Sequence, residues 1–200
     1  MSAPLDFYFD FSSPYGYLAA ARIDEIAARH GRGVNWRPFL LGAVMKTTGR
    51  KPLAAVPLVD EYMRRDLPRS ARLHGIDFTL PQKFPTMTVA ACRAYYWLRE
   101  GDAGLARKVA WKIYAAYFAE GQDIADAETL LGICAAAGVD REKLAAALQD
   151  QRIKDLLRRE TDAAAARKVF GSPFIVVDGE AFWGDDRLPQ VERWLQSGGW

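Results

Sequence analysis

The sequence predicts an α/β fold in which a small sheet is assembled from the two ends of the chain around a large all-helical segment. Three observations predict it. Runs rich in aromatic and β-branched residues occur only near the N-terminus, at 5–11 and 34–39, and near the C-terminus, at 173–178 and 181–183. Between them, from 86 to about 168, nearly every residue fits a helical pattern. The first two strands are joined by one helix, a spacing that gives parallel strands and a right-handed crossover.

Each element has its own signature. Residues 5–11 alternate and carry Phe7, Tyr8, Phe9 and Phe11. Ser12 and Ser13 then precede Pro14, and a small hydroxyl residue before a proline is a strong helix start. The helix is expected over 14–30, with Leu18, Ala19, Ile23, Ile26 and Ala27 on its apolar face and Gly31 and Gly33 after it. Residues 34–39 form the second strand, and Pro38 marks its end or a sheet edge. A short helix and loop are expected over 42–56 and a helix over 58–74, with Pro81, Phe84 and Pro85 in the next loop. Helices are expected over 86–100, 103–118, 126–137, 141–149 and 151–168, with Asp140 as an N-cap. Asp178-Gly179 between apolar runs signals a hairpin, and a last helix is expected over 186–197. The arrangement is a thioredoxin-like fold with a large all-helical domain inserted between the N-terminal βαβ and the C-terminal ββα. Residues 1–41 plus 169–200 form the discontinuous thioredoxin-like domain, and 42–168 the insertion with its connections.

Composition narrows the function. Of 200 residues, half are hydrophobic, and 27 Lys and Arg stand against 25 Asp and Glu, so nothing calls for nucleic acid or an anionic membrane. The N-terminus lacks the pattern of a signal peptide and no apolar run reaches membrane-spanning length, which points to the cytoplasm. Cys92 and Cys134 lie in alanine-rich helical segments and read as buried small residues, not as a disulfide. His30 and His74 each precede a glycine at a helix end and form no metal cluster, so no metal is expected.

Three loops carry candidate chemistry. In Ser13-Pro14-Tyr15-Gly16, at a strand-to-helix turn, the helix start presents N–H groups and a partial positive charge suited to an anion such as a thiolate. Redox proteins of this fold place Cys-x-x-Cys at that turn, and here it holds no cysteine. Ser172-Pro173 precedes the hairpin. It reads as an ordinary start to a strand or, with a cis bond, as a backbone edge free to pair with an extended peptide. Gly184-Asp185-Asp186-Arg187 reads as a helix cap or as a receptor for an α-amino acid head group, whose ammonium an Asp carboxylate binds. In this fold the three loops meet at one end of the sheet, where they make a site for a small γ-glutamyl peptide with its thiol beside Ser13.

The chain resembles the 2-hydroxychromene-2-carboxylate isomerases of the kappa-class glutathione transferase group. The resemblance covers essentially the whole chain. It rests on Phe7-Tyr8-Phe9-Asp10-Phe11-Ser12-Ser13-Pro14-Tyr15, Phe84-Pro85, Arg167-Lys168-Val169-Phe170-Gly171-Ser172-Pro173 and Phe182-Trp183-Gly184-Asp185-Asp186-Arg187-Leu188. It implies a DsbA-like fold, glutathione as cofactor, a small aromatic substrate and a homodimer. By the same resemblance Ser13 is the catalytic serine that hydrogen-bonds the glutathione sulfur. Ser172, before Pro173, pairs with the cysteinyl unit, and Asp185 and Asp186 bind the γ-glutamyl end. The family's frequent Asn in the Gly49-Arg50-Lys51-Pro52 loop is Arg50 here, a glutathione-contacting Lys falls at Val59, and the Asn after Phe-Pro is Thr86. Tyr15, Arg50 and Lys51 are therefore the candidate substrate residues, with Arg50 or Lys51 facing the glycyl carboxylate or an acidic substrate. Arg50 and Lys51 read equally as a solvated basic loop.

The implied reaction is a glutathione-dependent isomerisation by reversible thiolate addition. A kappa-like transferase that releases a conjugate is the alternative. A disulfide oxidoreductase is disfavoured by the missing cysteines, and a non-catalytic peptide-binding module is the reading from another class.

Overall fold

The computed structural model describes residues 3–200. Its strands are β1 (Leu5–Phe9), β2 (Val34–Pro38), β3 (Phe174–Val177) and β4 (Glu180–Trp183), joined in one sheet of order β2-β1-β3-β4. β1 and β2 are parallel, with Phe7 opposite Trp36. β3 runs antiparallel to β1, with Tyr8 opposite Phe174, and β4 antiparallel to β3. The chain's two ends thus interleave, and β1 is an interior strand. β2 is an edge, where the missing N–H of Pro38 removes no ladder bond. Asp178 and Gly179 close the β3–β4 hairpin with φ of 52° and 91°, the two left-handed residues a tight hairpin turn needs.

Among the described residues ten helices surround the sheet: α1 (Pro14–Ala20), α2 (Ile23–Arg29), α3 (Leu41–Thr48), α4 (Val59–Leu73), α5 (Val89–Gly101), α6 (Ala103–Phe118), α7 (Ala127–Ala135), α8 (Arg141–Gln149), α9 (Gln151–Ala166) and α10 (Leu188–Ser197). Single 3₁₀ turns lie at Leu53–Ala55 and Asp185–Arg187. The helix expected over 14–30 is two helices. Arg22 Nε donates to the Leu18 carbonyl, and the Arg22 N–H turns to Ala19 instead. The backbone thereby breaks between α1 and α2. The last helix likewise starts at Leu188, after the 3₁₀ turn, and the strand expected over 5–11 ends at Phe9.

Alternation along β1 sends Leu5, Phe7 and Phe9 into the main core and Tyr8 into a smaller one with Phe39, Val44, Ala164, Val169 and Phe174. Phe9 meets Tyr95 of α5 and Tyr114 of α6 at centroid distances of 6.2 and 5.6 Å. The buried phenols of these two helices also satisfy carbonyls of β2 and of the residue after β1. Tyr95 donates to the Trp36 carbonyl, Tyr96 to that of Pro38 and Tyr114 to that of Asp10. A buried phenol needs such a partner, and here each one pins a helix to the sheet.

Asp10, buried one residue past β1, gathers the elements that frame the sheet's end. Its carboxylate accepts from the Ser12 N–H and hydroxyl, the Leu41 N–H at the start of α3 and the Thr88 hydroxyl just before α5, all at 2.8–2.9 Å. Its own N–H donates to Ser172 Oγ at 2.9 Å. Asp10→Ala strands several of these donors, each lost partner being worth about 1–3 kcal/mol. The expected outcome is a loss of at least about 3 kcal/mol in urea unfolding. A loss near zero would contradict this role.

Candidate functional site

Ser13 caps α1. Its backbone is extended, and its Oγ accepts from the Gly16 N–H at 3.0 Å, so Pro14 follows at the first helical position without a lost bond. The Ser13 hydroxyl is buried and donates to the Ser172 carbonyl at 2.7 Å. Ser172–Pro173 is cis, as is Phe84–Pro85. Ser13 and Ser172, 159 positions apart, are therefore in direct contact. The Ser172 carbonyl, read from the sequence as a free edge, is engaged by Ser13. Pro173 is buried, and its carbonyl accepts from the Gly184 N–H, which ties this loop to the one carrying Asp185.

α1 has only seven residues, and Ser13 already takes the Gly16 N–H. The Ser13 side chain thus occupies one of the helix-start N–H groups that an anion would otherwise meet.

Gly16 is set by crowding. A Cβ there would lie 2.7 Å from Tyr114 Oη and 2.9 Å from Ser172 Oγ. The space that a second cysteine of a Cys-x-x-Cys frame needs is occupied by a tyrosine hydroxyl.

Asp185 packs near α1, against Arg22 just past the helix end. It is buried and ion-paired with Arg22 at 3.2 Å, and Arg22 also contacts His74 Nε2 at 2.8 Å. Burial pushes the Asp185 carboxyl up to about 6; Arg22 opposes the rise, and the charges of Asp186 and Asp66 add to it. His74 is held below its usual range by burial and by Arg22, so it stays neutral and accepts from the guanidinium. Asp186 is exposed and pairs with Arg187 at 3.2 Å.

The Tyr15 hydroxyl donates to Asp66 of α4 at 2.8 Å. Burial and then this bond raise its pKa, so it acts as a neutral donor. Burial opposes ionisation of Asp66, but hydrogen bonds from Arg69, Tyr15 and Tyr62 hold its carboxyl below the usual range. Arg50 lies on the other flank, with its guanidinium 4.7 Å from the centroid of Trp183 and 5.4 Å from that of Phe170. Trp183 in turn covers Gly171, where a Cβ would collide with the indole Nε1. Lys51 is exposed in the same loop and is not drawn onto this aromatic platform.

Ser13, Ser172, Pro173, Tyr15 and Asp185 are thus brought together, and Arg50 stands beside the Phe170-Gly171-Ser172 loop. Sequence reasoning missed Arg22, Asp66 and Tyr114. Nothing in the residues around Arg22 announces a break in the helix, and Asp66 sits in an ordinary charged helix. Cys92 and Cys134 are buried free thiols, and burial pushes the Cys134 thiol up to about 12. Among the described residues no three potential metal ligands cluster, and no helix is long and apolar enough to cross a membrane. A hollow of about 260 Å³ lined by Tyr8, Arg37, Glu160 and Arg167 shares no residue with this site.

A family model described as DSBA-like thioredoxin domain matches residues 4–196. The chain belongs to the DsbA-like thioredoxin family. Within it, the chain is 30% identical to the 2-hydroxychromene-2-carboxylate isomerase of Sphingobium xenophagum, over 98% of this chain and 99% of that one. It is 28% identical to the Glutathione S-transferase kappa 1 of Caenorhabditis elegans, over 96% and 90% of the two chains. A solved 2-hydroxychromene-2-carboxylate isomerase superposes with a TM-score of 0.87 at 28% identity, covering 96% of this chain and 94% of that one. The relatives are isomerases and glutathione transferases, which supports an enzyme.

Asp185 also governs a pH dependence. Its folded pKa, about 6, lies above its ordinary value of 3.8, so its contribution to stability is full below pH 4 and is lost as the pH rises through 6. Asp185→Asn should flatten the change in stability between pH 4 and 7, read from urea midpoints across that range. An unchanged slope would rule out the raised pKa.

Proposed function

We propose that this protein is a glutathione-dependent isomerase acting on 2-hydroxychromene-2-carboxylate or a related unsaturated aromatic carboxylate. One observation carries the reading: a buried serine hydroxyl stands against the backbone of the residue before a cis-proline, in a frame where Gly16 leaves no room for a second cysteine. The site is suited to a thiolate but supplies none of its own, so the sulfur has to arrive with a ligand.

The residues fit glutathione. The Ser172 backbone offers an edge for the cysteinyl unit. The carboxylate of Asp185, with Asp186 beyond it, receives the γ-glutamyl ammonium, and Arg22 fixes its position. Arg50 lies on the opposite flank of the Ser172 loop and offers a guanidinium to a carboxylate, with Phe170 and Trp183 limiting its freedom. When bound, glutathione supplies a thiolate able to add reversibly to a conjugated double bond. Ser13 donates its hydroxyl to that sulfur and lowers the thiol pKa from its free value of roughly 8.5. Tyr15, held neutral by burial and by Asp66, presents its ring and phenol beside Ser13.

The same groups serve a kappa-like transferase, the second reading, which the Caenorhabditis elegans relative favours. The two are separated by whether the thioether persists in the product.

Ser13→Ala is expected to lower glutathione-dependent turnover on the order of 10²-fold, the usual effect of removing one donor to a developing or bound anion. The measurement is the interconversion of 2-hydroxychromene-2-carboxylate and its ring-opened isomer, with and without glutathione. Turnover by Ser13→Ala equal to that of the unaltered protein removes the assigned role. Arg50→Ala is expected to raise KM for the acidic substrate or for glutathione more than it lowers kcat. A change in neither KM returns Arg50 to a solvated loop.

A further inference from the structure

The Ser13 hydroxyl has a single proton, and in this structure that proton is given to the Ser172 carbonyl at 2.7 Å. Its oxygen is meanwhile an acceptor for the Gly16 N–H at 3.0 Å. While both bonds stand, Ser13 has nothing to donate to a sulfur. On the reading above, the Ser172 carbonyl is also the backbone group that an extended ligand would pair with, and among the described residues no backbone N–H outside the strands donates to it.

We propose that a bound thiolate and the Ser172 carbonyl compete for the Ser13 proton, and that the ligand's own cysteinyl N–H resolves the competition by replacing Ser13 on that carbonyl. The inference rests on the reading that the thiol ligand lies along Ser172. It makes the site selective for N-acylated cysteines in extended conformation, and poorly able to activate simple thiols.

The physical argument has three parts. Rotation about the Cβ–Oγ bond re-aims the proton without moving the oxygen, so the Gly16 bond and the helix cap survive. A hydrogen bond to an anion is about twice as strong as one between neutral groups, so the proton follows the thiolate. The carbonyl left behind is part-buried, and leaving it unpartnered opposes the switch. A ligand that brings an amide N–H to the carbonyl removes that opposition, whereas a thiol without one does not.

The test compares two ligands on two proteins by calorimetry at pH 8. Glutathione brings both the N–H and the thiol. γ-Glutamyl-alanyl-glycine brings the N–H and no sulfur, so on the unaltered protein it must displace Ser13 from the carbonyl with no thiolate to take the released proton. Ser13→Ala removes the competitor. It is expected to tighten γ-glutamyl-alanyl-glycine roughly fivefold, about one net hydrogen bond, and to weaken glutathione roughly tenfold. Ser13→Gly must give the same two signs, since glycine is tolerated at an N-cap at a cost of only about a few tenths of a kcal/mol and guards against a folding defect.

Opposite signs are required. Unchanged, weaker or unmeasurable binding of γ-glutamyl-alanyl-glycine by the variants overturns the proposal and means that the carbonyl's two lone pairs accept both donors at once. Failure of the unaltered protein to bind glutathione at all strikes instead at the reading in the preceding section.

Discussion

The buried carboxylate of Asp10 is the constraint on which the functional end of this molecule depends. One side chain accepts hydrogen bonds from the turn after β1, from the first residue of α3 and from the threonine before α5. Its backbone N–H holds Ser172 Oγ and its carbonyl receives Tyr114. A buried carboxylate is tolerable only where such donors converge on it. The convergence works in both directions, because the donors come from segments that would otherwise have no common anchor. Ser13, three residues on, inherits its position from this hub: the Ser13 N–H bonds the Asp10 carbonyl, and Ser172 is held against both.

The site is organised around a missing sulfur. Where redox proteins of this fold use two cysteines, a serine hydroxyl and a glycine stand here, and Tyr114 occupies the space beside the glycine. The substitution is concerted, since a side chain at Gly16 would collide with the tyrosine and with Ser172 together. Around this point the charges divide. Carboxylates of Asp185 and Asp66 lie on the α1–α4 side, and the Arg50 guanidinium lies over Trp183 and Phe170 on the other.

Much of this was legible in the sequence, and the exceptions have physical causes. The strands were readable because each is an aromatic or β-branched run flanked by turn residues. The helix over 141–149 was readable to the residue because Asp140 caps it, and the one over 103–118 from its helical pattern. The break at Arg22 was not legible, because a side chain that bonds the Leu18 carbonyl and reaches Asp185 leaves no local mark. Ser13, Ser172 and Asp185 could be named because each lies in a loop of distinctive composition. Asp66, Tyr114 and the engagement of the Ser172 carbonyl are contacts between elements far apart in the chain, and periodicity carries no information about such pairs. Arg50 was read as either a ligand or a solvated charge. Its two aromatic neighbours lie more than a hundred positions away, beyond any window of pattern.

The interleaving of the chain's ends has a consequence for how the protein is made. β1 leaves the ribosome well before β3, its partner on one side, which lies beyond the whole helical segment, and the Asp10–Ser172 bond joins positions 162 apart. Until the C-terminal hairpin is synthesised, β1 presents an unpaired strand edge rich in aromatic residues, the kind of surface that invites pairing with another chain. Helices α5 and α6 emerge in the interval and can cover the aromatic face of β1 through Tyr95 and Tyr114, although they cannot pair its backbone. The helical segment is then more than an insertion between halves of a sheet: it carries the tyrosines that cover the strand which waits longest for its partner.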